Sequence, residues 1–370
     1  MWVKSINLRN FRNYGSQAIT FDPGLNIFIG NNAQGKTNLL EAIYVLSLSK
    51  SYRAGRETEL IKHGEQATRL KATIQRIAEL DLEVTVSRSA AKKLLVNNKA
   101  VTAGSFVGRL NTVLFTPDSL QLIKGSPGER RRFLDVQICQ VDPVYRRNLL
   151  KYQRVVRQRN TILKDSRQNR RLLKELPVWN RQLANLGTKI ALRRLKALTV
   201  LNTLAAKMHK EISAQKEELK VVYQPFLADL SEKGEFAAQT LEDLFLEELL
   251  AQQGEEIRRG YTMVGPHRDD IAFLINNVDT RTFGSQGQQR TAVLSYILAE
   301  MEIMKQETGK YPVVLLDDVM SELDAVRRSF LLAVLDKKVQ TIVTTTGSDG
   351  LDGKIKKSAR IFKIEAGEIF

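Results

Sequence analysis

Apolar and polar positions alternate in short runs through residues 1–135, and the period changes afterwards. Residues 4–8 and 25–29 read as strands, and 37–47 carry the spacing of an amphipathic helix. Residues 70–74, 82–86 and 94–101 predict an antiparallel meander whose last member turns at Asn97-Asn98. From Val141 the pattern is helical. Tyr145, Leu149, Tyr152, Val156 and Leu163 follow a heptad-like spacing interrupted by Arg159, and Leu183, Leu186, Ile190, Ala197, Leu201, Leu204 and Met208 resume it beyond Pro177. Two long helices folded back on each other fit this pattern, followed by a shorter acidic helix at 241–250. The chain then returns to α/β: strands at 271–275, 313–316 and 341–345, helices at 288–306 and 325–335. A head (1–135 and 258–370) split by an inserted helical arm (136–257) accounts for the order.

With 370 residues, 43% of them hydrophobic, the chain is long enough to bury a full core. The single cysteine, Cys139, excludes an intramolecular disulfide. No signal-peptide pattern follows Met1, and the longest apolar stretches, such as 312–316, fall far short of the roughly 20 residues needed to cross a bilayer. The expectation is a cytoplasmic protein with no membrane partner. A net charge of +16 points to a polyanion, and its placement narrows the choice. Residues 141–200 hold sixteen Lys and Arg against Asp142, Asp165 and Glu175, a net +13 of the +16. Arg154, Arg157, Arg167, Arg170, Arg171, Arg193 and Arg194, mostly on helical positions, suit contact with phosphates without reading of bases. A solvated helix face is the alternative for any one of them. Arg130-Arg131-Arg132 forms a second basic cluster that could instead pair with acidic residues of the head.

Gly30-Asn31-Asn32-Ala33-Gln34-Gly35-Lys36-Thr37 fits the phosphate-binding pattern G-x-x-x-x-G-K-[ST] between an expected strand and an expected helix. Such a loop curls backbone N–H groups around phosphate oxygens at a helix N-terminus; Lys36 would reach the β and γ phosphates of ATP, and the Thr37 hydroxyl would ligate Mg²⁺. The apolar run 313–316 ends in Asp317-Asp318, as a Walker B strand does. There Asp317 would hold the Mg²⁺ and Asp318 would polarise the attacking water. Close before it, Phe283-Gly284-Ser285-Gln286-Gly287-Gln288-Gln289 opens a helix with a hydroxyl, a glycine and amides. Taken alone that segment is a good N-cap. His267, in Gly265-Pro266-His267-Arg268-Asp269-Asp270, lacks ligand-like spacing to His63 or His209 and reads as structural or nucleotide-adjacent. Trp179 reads as a packing residue more than a base-stacking one.

The order of P-loop, long helical insertion, S-x-G-Q segment, Walker B strand and Ser321-Glu322-Leu323-Asp324 resembles the ABC-type heads of SMC and DNA-repair ATPases. Within them the resemblance narrows to the RecF family. It is carried by 6–14, Gly30 to Ile43, Lys50-Ser51-Tyr52-Arg53, Phe115-Thr116-Pro117, Gly128 to Asp135, Gly265 to Asp270 and 316–324, nearly the whole chain. The resemblance implies an ABC-type P-loop ATPase head, a mixed sheet plus an antiparallel β meander, with an inserted arm containing a short helical hairpin. It implies that Ser285, Gly287 and Gln288 meet the γ-phosphate held by a second copy, that Ser321 and Asp324 line the same interface as a D-loop, and that ATP drives homodimerisation. It further implies a role in DNA replication, recombination, repair and the SOS response. The partners would be duplex or gapped DNA at the nucleoid, and RecR and RecO in loading RecA. Two departures from common ABC patterns matter: Asp318 stands where many carry Glu, and Thr346 where transporters commonly carry a switch histidine. Both suggest a weak ATPase that holds its nucleotide. A transporter or translation-type ATPase, an SMC-like structural clamp and an ATPase-nuclease are the rival classes; a single P-loop and few residues after Asp324 weigh against the first and last.

Overall fold

The computed structural model describes residues 1–227, 238–335, 339–347 and 359–370. The chain divides into two compact units, Met1–Ser119 with Val293–Phe370, and Leu120–Ala292. The second unit is thus longer at both ends than the 136–257 segment that the helical pattern marks out.

The first unit holds two six-stranded sheets. Its strands are β1 (Trp2–Phe11), β2 (Tyr14–Thr20), β3 (Leu25–Ile29), β4 (Ala67–Gln75), β5 (Glu79–Ser87), β6 (Lys93–Val96), β7 (Lys99–Ala100) and β8 (Thr112–Phe115). The second unit contributes β9 (Leu219–Gln224), β10 (Asp270–Ile275) and β11 (Val278–Asp279). After it the first unit resumes with β12 (Val313–Asp317), β13 (Thr341–Thr345), β14 (Arg360–Glu365) and β15 (Glu368–Ile369). The expected meander is antiparallel, in the order β2-β1-β4-β5-β6-β7. Asn97 and Asn98 turn β6 into β7 with φ of 48° and 61°, the left-handed pair that a two-residue hairpin asks of Asn. In β4 alternate residues are buried, as in a sheet with one face against a core.

The other sheet runs β15-β14-β3-β13-β12-β8 and is parallel from β14 to β8. Every residue of β12 and β13 is buried, which is why 313–316 reads as an unbroken apolar run instead of alternating. Helix Lys36–Leu48 packs against strands of both sheets. Leu39, Leu40, Ala42, Ile43, Val45 and Leu46 are almost completely enclosed, joining the two sheets in one core. Each buried Leu, Ile or Val side chain among them contributes about 1.5–3 kcal/mol.

The second unit is mainly helical. Ser126 starts helix Pro127–Val141 with a capping box: its backbone N–H donates to Glu129 Oε2 at 2.6 Å, and its hydroxyl accepts from Glu129 N at 3.4 Å. Asp142 accepts from Tyr145 N at 2.8 Å to start helix Pro143–Asp165. A 3-10 stretch, Arg170–Glu175, turns the chain into the 37-residue helix Leu176–Ile212, and the two long helices pack as a hairpin. Near the turn Trp179 packs against Ile162, Leu163 and Leu176, in the role expected of it. Strands β9, β10 and β11 add a small antiparallel sheet in the order β11-β10-β9.

Arg159 explains the break in the heptad-like spacing. It points inward with no exposed surface, ion-paired to the equally enclosed Glu256 at 2.5 Å and donating to Asn180 Oδ1 at 2.8 Å and Thr262 Oγ1 at 2.9 Å. Each guanidinium nitrogen of Arg159 has an acceptor, and Glu256 Oε1 also accepts from Met263 N at 2.7 Å; a buried pair holds only with such added hydrogen bonds.

Candidate nucleotide site

The parallel sheet sets the site. Strand β3 ends at Ile29 and runs into the glycine loop, while β12 and β13 end beside it with Asp317 in register with Thr344. Loops at the carboxyl ends of parallel strands are where such sheets hold ligands. Thr37 donates to Asp317 Oδ1 at 2.9 Å and Thr344 donates to the same oxygen at 2.8 Å. The Thr344 hydroxyl also accepts the Asp318 N–H at 3.0 Å. The structure therefore brings Thr37 and Asp317 together across 280 residues of sequence. Burial pushes the Asp317 carboxyl above its ordinary range, against the two hydroxyl donors that favour its charge.

Lys36 is almost fully enclosed and donates to Gly30 O and, at 3.0 Å, to Asn31 O, folding back over the loop's own carbonyls. Burial lowers its pKa, while Asp318 and Asp317 act in the opposite direction. Gly35 has φ of 114°, and a Cβ there would lie 2.6 Å from Asn13 Nδ2. A Cβ on Gly30 would sit 2.4 Å from the carbonyl oxygen of Ile364 on β14, so close approach of backbone requires glycine at that point. Asn31, Asn32 and Ala33 are exposed, with Ala33 left-handed at φ 64°. Asp318 also takes a left-handed φ of 52°, and its Oδ1 accepts from Ser321 at 3.1 Å. Asp324 caps helix Ala325–Leu335 by accepting from Arg327 N at 2.9 Å.

Ser285, Gly287 and Gln288 belong to the second unit. Ser285 N donates to Gln288 Oε1 at 2.9 Å, and Gln288 N donates to Ser285 Oγ at 3.2 Å, a reciprocal cap that opens helix Gln286–Thr308. Ser285 remains exposed.

Several side chains that shape the site carry no motif. Asn13 donates to Gln34 O at 3.0 Å and accepts from Asn38 at 2.8 Å, and Tyr14 donates to Gly35 O at 2.9 Å. Gln34 accepts backbone N–H groups from Ala366, at its side chain, and Gly367, at its carbonyl, 3.1 Å away. The enclosed Glu41 takes a two-pronged contact from Arg12 at 2.7 and 2.9 Å. Only the tertiary fold brings these together; the one signal in sequence was that Asn13 and Tyr14 close the 6–14 segment.

Of the arginines proposed for phosphate contact, Arg154, Arg157, Arg170 and Arg171 are exposed and make no ion pair among the described residues. Arg147 and Lys151 are exposed on the same helix as Arg154. Arg167 is exposed but spends its guanidinium on Ile257 O and Arg258 O. Arg193 is half-buried and ion-paired with Asp142 at 2.8 Å. Arg194 is a correction: it is enclosed, paired with Asp135 and Asp269 at 2.9 Å each and donating to Pro266 O at 2.5 Å, with no face left for a phosphate. Arg130 takes the alternative reading of its cluster, gripping Asp270 at 2.6 and 2.7 Å. His267 is structural. Its Nδ1 lies 2.6 Å from Tyr152 Oη and its Nε2 3.2 Å from Thr262 O, and burial lowers its pKa to about 4. Among the described residues no group of three or more His, Cys, Asp or Glu is placed to hold a metal ion, and no helix is long and apolar enough to cross a membrane.

The family model for the RecF/RecN/SMC N terminal domain matches residues 2–369. The protein named DNA replication and repair protein RecF from Geobacillus thermodenitrificans is 44% identical over 372 residues, covering 100% of this chain and 99% of the relative. RecF of Bacillus cytotoxicus is 42% identical over 370 residues, covering 100% and 98%. A solved structure of the recombination mediator protein RecF-ATPrS in the RecFOR pathway superimposes with a TM-score of 0.91 at 33% identity, covering 100% of this chain and 97% of that one. A solved Smc head bound to the C-winged helix domain of ScpA shares the fold at a TM-score of 0.57 and 15% identity, covering 100% and 96%. With its glycine loop and Asp317 joined at the strand ends of an ABC-type head, the chain belongs to the RecF family.

Proposed function

We propose that the chain is an ATP-dependent DNA clamp of replication and recombinational repair, with weak Mg²⁺-dependent ATP hydrolysis. The observation that carries the reading is the Thr37–Asp317 contact at 2.9 Å beside a glycine loop whose lysine folds onto its own carbonyls. A hydroxyl and a buried carboxylate are hard oxygen donors of the kind Mg²⁺ takes, and a carboxylate held against its own desolvation gains from a cation. The chemistry supplied by a bound Mg²⁺ would be neutralisation of phosphate charge. The protein's part is then to orient. Lys36, released from Gly30 O and Asn31 O, would reach the β and γ phosphates. Thr37 and Asp317 would hold the ion, and Gly30, Asn31, Asn32, Ala33, Gln34 and Gly35 would offer backbone N–H groups. Asp318 would orient the attacking water, its short side chain already bound to Ser321, which suits slow turnover.

Hydrolysis needs a second copy in this reading. The exposed Ser285, with the half-buried Gly287 and Gln288 behind it at the helix start, would meet the γ-phosphate held by that copy, with Ser321 and Asp324 along the same seam. Arg154, Arg157, Arg170 and Arg171, with Arg147 and Lys151 added and Arg194 removed, would neutralise phosphates of duplex or gapped DNA. RecR and RecO, named with RecF by its pathway, would be the protein partners. Sedimentation of wild type and Lys36→Ala with ATP, with and without duplex DNA at two salt concentrations, tests the proposal. Dimerisation that needs both ATP and Lys36, with salt-sensitive DNA binding, is expected; a monomer indifferent to nucleotide and DNA overturns it. Single-turnover hydrolysis at many per second would reject slow turnover.

A further inference from the structure

The long helix Leu176–Ile212 and the Ser285 cap are far apart in sequence but meet through one carboxylate within the second unit. Glu217 Oε2 lies 3.2 Å from Nε2 of His209, which is completely enclosed in the last turn of that helix. Glu217 Oε1 accepts from Gln288 Nε2 at 2.9 Å. The other end of the same Gln288 amide accepts the Ser285 N–H at 2.9 Å, so both ends of that amide are committed and its orientation is set. Ser285, the Gln288 amide, Glu217 and His209 therefore form a continuous chain of hydrogen bonds.

A second tie runs alongside it through the backbone. After Ile212 the chain reverses with Ala214 and Gln215 left-handed at φ 52° and 66°, and Ser213 Oγ accepts from Glu217 N at 3.3 Å. The next residue, Glu218, exchanges hydrogen bonds with Asn276: Glu218 N donates to Asn276 Oδ1 at 2.9 Å and Asn276 N to Glu218 O at 2.9 Å. Asn276 sits in the turn from β10 to β11, and β11 leads directly into Thr280–Phe283 and Ser285. A displacement of the end of the long helix thus reaches the Ser285 cap by two routes, and Glu217 is the side chain common to the polar one.

We infer that Glu217 is a positioning residue that couples the helical hairpin to the Ser285–Gln288 cap, so that a duplex-DNA phosphate backbone seated on the hairpin adjusts the groups that would complete the nucleotide site of a second copy. The inference rests on the DNA-dependent reading above. Coupling energies between sites correspond to changes of roughly 5-fold to 150-fold.

The test measures steady-state ATP hydrolysis with and without duplex DNA for wild type, Glu217→Ala and Glu217→Gln, with nucleotide affinity at the P-loop and melting temperature measured in parallel. Glu217→Ala is expected to cut the ratio of DNA-stimulated to basal hydrolysis by about fivefold or more while nucleotide affinity and melting temperature stay at wild-type values. Glu217→Gln, which keeps one acceptor, is expected to retain part of the ratio. An unchanged ratio in Glu217→Ala overturns the coupling. So does a proportional loss of basal and stimulated rates with a lowered melting temperature, which is what a merely structural role produces. Wild-type protein that hydrolyses ATP but ignores DNA strikes the DNA-dependent reading itself, and the inference with it.

Discussion

The glycine loop and the helical hairpin are both built from residues whose types advertise contact with phosphate, yet they differ in how type relates to position. In the loop the chemistry is fixed by backbone: Gly35 must be left-handed, Gly30 must admit Ile364 O, and Lys36 and Thr37 follow where the chain leads them. In the hairpin, seven arginines of the same chemistry separate into different fates. Arg154, Arg157, Arg170 and Arg171 face solvent, Arg167 binds carbonyls, Arg193 has a half-buried partner and Arg194 is a core residue. A motif specifies geometry, whereas a charge count specifies only that partners exist.

Substitutions in the hairpin break or sharpen that contrast. The largest effect is expected at Arg194. Arg194→Ala leaves Asp135 and Asp269 without their shared cation, and loss of one partner of a buried pair costs about 3–5 kcal/mol. Chemical denaturation should show it, and a loss below 1 kcal/mol, as for a surface arginine, would return Arg194 to the phosphate-contacting set.

An intermediate effect is expected from acid. The pKa of His267 is lowered to about 4 by burial, so between the ordinary histidine value and pH 4 the unfolded chain takes up a proton that the folded chain refuses. Stability from this group is therefore complete above pH 6.5 and falls as pH drops through that window, by about 2 kcal/mol after allowance for partial exposure. His267→Asn should flatten this part of the stability profile; a profile identical to wild type would reject the assignment.

The smallest effect on stability belongs to the exposed arginines. Arg154→Ala should change unfolding free energy by less than about 0.5 kcal/mol, while lowering the slope of log affinity for duplex DNA against log salt by about 1. A stability loss like that of Arg194→Ala, with an unchanged slope, would remove the distinction between the two residues.

The same contrast accounts for what could be read from the chain alone. The apolar run ending in Asp317-Asp318, the Asn97-Asn98 turn and the helix after Lys36 were all legible because each rests on local chemistry or a simple period. Strand β2 was not: Tyr-Gly-Ser-Gln-Ala-Ile-Thr buries only Tyr14 and Ile19 well, so its alternation is faint. Asn13, Thr344 and Glu217 were also invisible as contributors. Their significance lies in partners distant in sequence, Gln34, Asp317 and Gln288. The apparent flaw at Arg159 was legible as a break in period but not as an ion pair, because Glu256 lies on another helix.

Strand order has a consequence for biogenesis. Strand β3, which feeds the glycine loop, lies between β13 and β14, both synthesised long after it. At roughly 5–20 residues/s, a ribosome leaves β3 without either neighbour for a time on the order of tens of seconds. Meanwhile Leu120–Ala292, one uninterrupted stretch of sequence, has emerged in full. The nascent chain thus holds an apolar strand with both edges open, a template for mispairing with other nascent chains, until the closing strands arrive.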